Sequence, residues 1–297
     1  MSDRRGVGWL AKPLRRVGRP LIDRLYEADI VGSEHIPTDG PAIISPNHLS
    51  FFDTPLVMLS APRRVLFLGK AEYMDSWKTK YLFPAVGMVP IRRQKARASM
   101  AALDTAASLL DDGELVGIYP EGTRSRDGFL HKGHTGVAHL ALQTGAPIIP
   151  VGIVGTDDVQ PIGRNVPRRS GKITVRFGEP IEPRAYLAGG KRRRRQQMTD
   201  DVMASIATMT PQDRSDEYAS DEPPLIRGGS ESVYMVRRYR SAGTSFADSA
   251  RQSVDEACSR YDDARVGKVG RMRCVVRGES VEFFTELAVS TRFQGGT

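Results

Sequence analysis

The sequence is poor in cysteine. Its 297 residues include two cysteines, Cys258 and Cys274, both late in the chain. Two cysteines cannot form the disulfide framework of a small secreted domain, and no cysteine–histidine cluster has the spacing of a zinc site. These absences favour a reducing compartment and give no indication of a zinc site.

Long apolar runs are also missing. No stretch approaches the roughly 20 apolar residues that a transmembrane helix requires. The basic N-terminus is not followed by the apolar core of a signal peptide. From the sequence we therefore expect neither secretion nor a membrane-spanning segment, although such a protein can still lie on a membrane surface.

Positive charge is in excess. The chain has 43 lysines and arginines against 35 acidic residues, a net charge of +8. This balance favours an anionic partner such as a membrane surface or a phosphorylated substrate. The unbroken basic run from Lys191 to Arg195 fits either a solvated helix start or contact with anionic lipid. Nucleic acid is not expected as a partner, because no aromatic interleaving or known binding motif accompanies the run.

The first 30 residues have the pattern of an amphipathic helix. Apolar residues recur there at near-helical spacing, at Trp9, Leu10, Leu14, Val17, Leu21 and Leu25. Arginine and lysine fill most positions between them, so residues 1–28 are predicted to be a membrane-associating helical segment on anionic lipid. The alternative is a helix packed on the domain with a solvated basic face. Pro13 and Pro20 should start or kink separate helical pieces.

Strand and helix patterns alternate through residues 29–210. Apolar strands are predicted at 42–44, 65–68, 115–119 and 146–154, an alternating strand at 172–177, and a helix at 94–111. The alternation predicts an α/β fold with a mostly parallel central sheet flanked by helices. In such sheets, ligands bind at the carboxyl ends of the strands.

Residues 211–297 form an extension of unknown role. The polar stretch 211–233 contains Pro and Gly pairs and predicts a linker. Beyond it, residues 246–262 have the pattern of a helix, and 272–276 with 281–284 have the pattern of a hairpin.

A His and an Asp follow the strand at 42–44. The stretch reads Asn47-His48-Leu49-Ser50-Phe51-Phe52-Asp53. His is suited to moving protons near neutral pH, and an Asp one helical turn later can fix its tautomer and stabilise the imidazolium. The spacing alone is a weak signal, because an ordinary capped turn can contain the same residues. His48 is the candidate general base, with Asp53 as its partner.

Three further segments follow this stretch in a fixed order. They are Gly87-Met88-Val89-Pro90-Ile91-Arg92-Arg93, Glu121-Gly122-Thr123-Arg124-Ser125 and Pro147-Ile148-Ile149-Pro150-Val151. Together with the His48 stretch they resemble the four motif blocks of the glycerolipid acyltransferases. The resemblance covers residues 25–185, and the first and third blocks are the specific ones.

The resemblance implies transfer of a fatty acyl group to the free hydroxyl of 1-acyl-sn-glycerol 3-phosphate, giving phosphatidate. The acyl donor would be a thioester on coenzyme A or acyl carrier protein, with no metal cofactor, and the enzyme would be peripheral on the cytoplasmic face of the cell membrane. His48 would deprotonate the acceptor hydroxyl, so no acyl-enzyme is expected. Glycerol 3-phosphate or a glycolipid as acceptor, and a non-catalytic lipid-binding protein of the same fold, stay open.

The third block carries the residues expected to hold the acceptor phosphate. Arg124 offers a bidentate guanidinium, and the backbone N–H groups of Gly122 and Thr123 can add donors. The resemblance implies that Arg92 in the second block also reaches the phosphate. Glu121 is expected to orient Arg124 or the acceptor's hydroxyls. The alternatives are a surface ion pair for Arg124 and a turn cap for Glu121.

Overall fold

A mostly parallel sheet of seven strands forms the centre of the first part of the chain. Its strands are β1 (Glu27–Val31), β2 (Ala42–Pro46), β3 (Val65–Lys70), β4 (Met88–Ile91), β5 (Leu115–Gly117), β6 (Ile148–Val154) and β7 (Lys172–Phe177). They lie in the order β1-β7-β6-β2-β5-β3-β4. The five strands from β6 to β4 are parallel to one another, whereas β7 runs antiparallel to β6 and pairs in parallel with β1. The predicted α/β fold class is confirmed.

The computed structural model describes most, but not all, of the chain. The described residues are 10–70, 84–91, 95–126, 128–162, 164, 166–219, 226–228, 231–241, 265–277 and 280–290. Arg92 and the helix predicted at 246–262 lie outside them. The chain divides into one unit made of Met1–Arg124 and Leu130–Ala219, and a second made of Ser125–Phe129 and Ser220–Thr297.

Helices cover both faces of the central sheet. They are α1 (Ala11–Leu25), α2 (Asp53–Ser60), α3 (Lys95–Asp111), α4 (Gly136–Thr144), the short α5 (Thr156–Val159) and α6 (Lys191–Met209). The helix predicted at 94–111 is confirmed as α3, and the basic run from Lys191 to Arg195 is the first part of α6. Within the described residues, no helix is both long enough and apolar enough to cross a membrane.

The core consists of two apolar clusters, one on each face of the sheet. Neighbouring residues of a strand point to opposite faces, so Ile44 joins one cluster and Ile43 the other, and both are fully buried. Helices α1 and α2 pack on the Ile44 side, whereas α3, α4 and α6 pack on the Ile43 side. Each fully buried aliphatic side chain contributes about 1.5–3 kcal/mol, which is why the central strands are apolar throughout.

Helix α1 confirms the helical pattern of the N-terminal segment but not its division by proline. Pro13 lies near its start and Pro20 lies inside it, so residues 11–25 form one helix. Its buried residues are Ala11 and Ile22, and Ile22 joins the core. A row of apolar side chains on the same helix is exposed, namely Leu14, Val17, Leu21 and Leu25.

The segment after α6 differs from the linker that the sequence predicts. It lies as extended chain beside residues 130–132 and exchanges backbone hydrogen bonds with them. The Leu130 N–H donates to the Asp213 carbonyl at 2.9 Å, and the Ser215 N–H donates to the Leu130 carbonyl at 2.9 Å. The Lys132 N–H donates to the Glu217 carbonyl at 2.9 Å. Residues 211–219 therefore belong to the first unit.

The second unit contains a four-stranded antiparallel sheet. Its strands are β8 (Ile226–Gly228), β9 (Glu231–Ser241), β10 (Arg265–Arg277) and β11 (Ser280–Ser290), in the order β10-β11-β9-β8. The predicted hairpin is confirmed, because Met272 pairs with Thr285 and Val276 with Val281. Strand β9 falls partly in the predicted linker. It pairs with the edge of β11 that faces away from β10.

Candidate active site

His48 and Asp53 form a hydrogen-bonded pair in the corner between β2 and α2. His48 Nδ1 lies 2.8 Å from Asp53 Oδ2, and the exposed fractions of the two side chains are 16% and 0%. A carboxylate accepts hydrogen bonds, so Nδ1 is the donor, and Nε2 of the neutral ring carries the lone pair. Nε2 is therefore the nitrogen that can accept a proton from a substrate.

The Asp53 carboxylate also holds the backbone of the corner. Oδ2 accepts hydrogen bonds from the N–H groups of Leu49 at 2.7 Å and Ser50 at 2.8 Å. Asp53 is the first residue of α2, where the helix dipole favours a negative charge. One buried oxygen thus fixes both the imidazole and the loop that carries it.

An aromatic ring covers one face of the His48 imidazole. The Tyr119 ring stacks on it with the centroids 3.7 Å apart and an interplanar angle of 12°. Burial raises the pKa of the Tyr119 phenol well above its ordinary value, so the phenol stays neutral. From the sequence, Tyr119 is only the end of a predicted strand, and nothing in its pattern indicates this contact.

Glu121 bonds the corner to a second backbone segment. Its side chain is fully buried. Oε1 accepts a hydrogen bond from the His48 N–H at 3.0 Å, and Oε2 accepts one from the His131 N–H at 3.0 Å. Burial raises the pKa of Glu121 to about 7, although the two backbone donors act in the opposite direction. Both oxygens are bonded to backbone, as in the cap alternative, rather than to Arg124.

The turn after Glu121 presents the residues expected to hold the phosphate. Gly122 has a φ of +77°, and its N–H donates to the Tyr119 carbonyl at 3.1 Å. Gly122 is exposed, whereas Thr123 and Arg124 are half-buried. Among the described residues, the Arg124 guanidinium forms neither an ion pair nor a hydrogen bond. The structure thus brings Gly122, Thr123 and Arg124 to the same sheet edge as His48.

Arg92 cannot be placed, but the strand that leads to it can. Strand β4 is the third strand from β2 in the sheet order. With neighbouring strands about 4.8 Å apart, the end of β4 lies about 14 Å from the end of β2 across the sheet. The predicted role of Arg92 stays a prediction.

A buried amide network fixes the residue before His48. The Asn47 side-chain amide donates to the Gln212 side-chain oxygen at 2.6 Å and to the Ile153 carbonyl at 2.9 Å. In return, the Ile153 N–H donates to the Asn47 side-chain oxygen at 2.7 Å. Gln212 was not singled out from the sequence, because it lies in the predicted linker; in the structure it is buried.

A further acidic group, Asp157, lies just beyond the carboxyl end of β6. Burial raises its pKa to about 7, and the negative charges of Asp158 and, more weakly, Asp53 act in the same direction. In the described part of the chain, no three His, Cys, Asp or Glu side chains are grouped so that they could hold a metal ion.

Comparisons with known proteins agree with the geometry. A family model described as acyltransferase matches residues 27–154. A chloroplastic 1-acyl-sn-glycerol-3-phosphate acyltransferase of Brassica napus is 31% identical over 157 residues, covering 52% of this chain and 45% of the relative. The enzyme of that name from Limnanthes douglasii is 35% identical over 157 residues, covering 51% of this chain and 53% of the relative. The chain thus spans about half the length of these curated relatives.

A solved structure extends the similarity over more of the chain. The 1-acyl-sn-glycerophosphate acyltransferase PlsC of Thermotoga maritima matches with a TM-score of 0.56 and 26% sequence identity. The match covers 70% of this chain and 83% of that protein. The part of the chain that holds His48, Asp53 and Glu121 thus matches the acyltransferase family model and is similar in fold to PlsC.

Proposed function

We propose that the protein transfers a fatty acyl group from an acyl thioester to the free hydroxyl of 1-acyl-sn-glycerol 3-phosphate, giving phosphatidate. The observation that carries the proposal is the 2.8 Å hydrogen bond between His48 Nδ1 and the buried Asp53 carboxylate. It leaves Nε2 as a base at the carboxyl edge of the sheet. The names of the relatives support the choice of acceptor.

In this mechanism His48 moves one proton twice. Nε2 takes the proton of the acceptor hydroxyl as its oxygen forms a bond to the thioester carbonyl carbon. The resulting oxyanion collapses, the carbon–sulfur bond breaks, and Nε2 returns the proton to the leaving thiolate. Asp53 stabilises the imidazolium between the two steps. The acyl donor, on coenzyme A or acyl carrier protein, is a substrate rather than a cofactor.

The nucleophile in this mechanism belongs to the acceptor. Ser50 is the serine nearest to His48 in sequence, but it is fully buried, and its hydroxyl donates to the Gln160 carbonyl at 2.6 Å. That hydroxyl is held in the loop rather than directed at a substrate. Its placement supports direct transfer without an acyl-enzyme.

The turn from Gly122 to Arg124 is the proposed phosphate site. Arg124 is half-buried without a partner among the described residues, so both of its N–H edges are available for a bidentate contact with phosphate. The Gly122 N–H already donates to the Tyr119 carbonyl, so the proposed phosphate contact rests on the Arg124 side chain.

The exposed side of α1 is the proposed membrane contact. Its apolar row includes Val17, of which 71% is exposed, and Leu21, of which 52% is exposed. Basic side chains of the same helix, Lys12, Arg16 and Arg24, are also exposed. An apolar row flanked by cations fits the surface of an anionic membrane. We place the protein there as a peripheral protein, on the cytoplasmic face, where a lysophospholipid acceptor is concentrated.

The test is an acceptor panel with labelled acyl donors. Acyl-coenzyme A and acyl carrier protein thioesters are each offered with lysophosphatidate, glycerol 3-phosphate, other lysophospholipids and a glycolipid. We expect labelled phosphatidate from lysophosphatidate, and its loss in His48→Ala but not in His139→Ala, a histidine on α4. Retained activity in His48→Ala would contradict the mechanism, and labelling of another acceptor alone would identify the alternative substrate.

The phosphate site has its own test. Arg124→Ala should raise the KM for lysophosphatidate about tenfold or more, because a charge-assisted bidentate contact is lost. Arg164→Ala, which removes an exposed arginine, is the matched control. An unchanged KM in Arg124→Ala would mean that the phosphate binds elsewhere.

A further inference from the structure

Two contacts of different kinds restrain the His48 imidazole. The hydrogen bond to Asp53 acts in the plane of the ring, through Nδ1. That bond alone still allows the ring to rotate about the Nδ1···Oδ2 line. The Tyr119 ring lies flat against the imidazole at 3.7 Å and 12°, so it blocks the rotation that the hydrogen bond allows.

Tyr119 is itself anchored. Its hydroxyl lies 2.7 Å from the hydroxyl of Thr54, the second residue of α2. The Phe67 ring packs against it with centroids 5.4 Å apart. Phe67 in turn lies over Gly117, where a β-carbon would come within 2.3 Å of its ring, so this packing requires the glycine. Asp53 and Thr54 are adjacent, so both restraints on His48 are tied to the first turn of α2.

We propose that Tyr119 is a positioning residue for the general base. It fixes the plane of the imidazole so that Nε2 faces the acceptor hydroxyl during the first proton transfer and the thiolate during the second. The proposal rests on the proposed function of His48. The electron-rich face of a neutral phenol also attracts the imidazolium formed between the two transfers.

The kinetic test compares two substitutions of Tyr119. Tyr119→Leu removes the ring and should lower kcat about 10- to 100-fold, because a misdirected base loses its alignment with the hydroxyl. The KM values of acceptor and donor should stay within about twofold, because the role proposed for Tyr119 is to orient His48 rather than to bind a substrate. Tyr119→Phe keeps the stacked ring but loses the contact with the Thr54 hydroxyl, so its kcat should fall only severalfold. Tyr186→Leu, the same truncation of a tyrosine that packs on the opposite face of the sheet, should leave kcat unchanged.

The second readout does not depend on activity. The Nδ1 proton of His48, held by Asp53, should give a downfield proton resonance in nuclear magnetic resonance spectra, assigned by its loss in His48→Ala. We expect this signal in the wild type, Tyr119→Phe and Tyr186→Leu, and its broadening or loss in Tyr119→Leu. A sharp signal in Tyr119→Leu together with kcat within twofold of wild type would overturn the proposal.

Other variants keep the test decisive. Should Tyr119→Leu fail to fold, Thr54→Val removes only the anchor and should lower kcat severalfold at constant KM. Unchanged kcat in Thr54→Val would then overturn the proposal. If His48→Ala is inactive and Tyr119→Leu is fully active, only the role of Tyr119 fails. If His48→Ala is fully active, the proposed function fails, and this inference fails with it.

Discussion

At the scale of single residues, Glu121 is buried where a charge is costly. It joins the corner that carries His48 to the segment that carries His131 through two backbone hydrogen bonds. Each donor favours the ionised carboxylate, whereas burial favours the protonated form and has the larger effect on its pKa. The link between the two segments therefore changes its charge near neutral pH.

Glu121→Gln should alter how stability depends on pH. The folded-state pKa of about 7 exceeds the ordinary value of 4.5, so Glu121 contributes stability that is fully present below pH about 4.5 and lost as pH rises through 7. Gln is neutral throughout. We will therefore compare free energies of unfolding in urea between pH 4.5 and pH 8. We expect the value of Glu121→Gln, relative to that of wild type, to increase by on the order of 3 kcal/mol as pH rises.

The control for this experiment is Glu182→Gln, because Glu182 is exposed. Its free energy of unfolding should follow that of wild type across the same pH range. A difference between Glu121→Gln and wild type that stays constant with pH would contradict the proposed titration of Glu121.

Gly122 occupies a conformation that other residues rarely adopt. Its φ is +77°, and a β-carbon on it would lie 3.0 Å from His134 Cδ2. Any side chain there is strained by the backbone and also pushed against the His134 ring. The turn that carries Arg124 would have to move to relieve the crowding.

Gly122→Ala should therefore raise the KM for lysophosphatidate severalfold and lower stability by about 1–2 kcal/mol. Gly113→Ala is the matched control, because Gly113 has a φ of +81° and a β-carbon on it would meet no atom within 4 Å. Both variants should lose similar stability in thermal unfolding, and only the first should change KM. An equal KM in the two variants would show that the turn tolerates displacement.

At the scale of elements, the extended segment after α6 supports the loop that carries the base. Gln212 reaches Asn47, the neighbour of His48, while the Leu130 N–H bonds to the residue after Gln212. Leu130 is itself the neighbour of His131, which bonds to Glu121. The segment after α6 therefore supports both the loop that carries His48 and the segment that carries His131.

Gln212→Ala should destabilise the protein by about 1–3 kcal/mol, because the buried Asn47 amide loses one of its acceptors. We also expect a severalfold lower kcat, since Asn47 precedes the base. Gln197→Ala, at an exposed position of α6, is the control and should change stability by no more than about 0.5 kcal/mol. Urea unfolding and steady-state kinetics measure the two effects, and wild-type values for both in Gln212→Ala would exclude this supporting role.

The central strands could be predicted from sequence because burial on both faces leaves a local signal. The apolar runs at Ala42–Ile44 and Leu115–Val116 need no information from the rest of the chain. The pair His48 and Asp53 was found in the same way, since its partners are five residues apart. The central strands and the His48–Asp53 pair depend on local sequence patterns, and both are present in the structure.

The contacts that complete the site have no local pattern. Gln212 and Asn47 are 165 residues apart, and their bond joins two side chains that look like ordinary polar residues. The segment around Gln212 pairs by backbone atoms, which any sequence can supply. Tyr119 satisfies the apolar pattern of a strand end whether or not it stacks on an imidazole. Glu121 was singled out, but its bonds to backbone could not be read from its neighbours.

At the scale of the whole molecule, the two basic segments lie on opposite faces of the sheet. Ile22 of α1 joins the core cluster on one face, whereas Met198 and Val202 of α6 join the cluster on the other. A flat membrane in contact with the exposed row of α1 would therefore lie on the opposite side of the sheet from α6. This arrangement favours α1 over Lys191 to Arg195 as the membrane contact, and a solvated helix start for the latter.

Val17→Asp should abolish most binding to vesicles that contain anionic lipid, because a charge in the apolar row prevents its burial. Val166→Asp is the matched control, since Val166 is 67% exposed and lies outside α1. Charge reversal at Arg192 and Arg193 should weaken vesicle sedimentation far less than Val17→Asp does. The opposite ranking would move the membrane contact to α6.

The buried hydroxyl of Ser50 has a consequence for how the proposed activity can be studied. It donates to the Gln160 carbonyl and supports the loop through a hydrogen bond from the Phe52 N–H at 3.1 Å. Fluorophosphonate probes, which label activated serines, should therefore leave Ser50 unmodified in the active enzyme. In the proposed direct transfer no acyl group is bound covalently to the protein, so both substrates must be bound together and initial-rate plots should intersect rather than run parallel. Water would then have to compete with a bound alcohol for the thioester, rather than attack a long-lived intermediate.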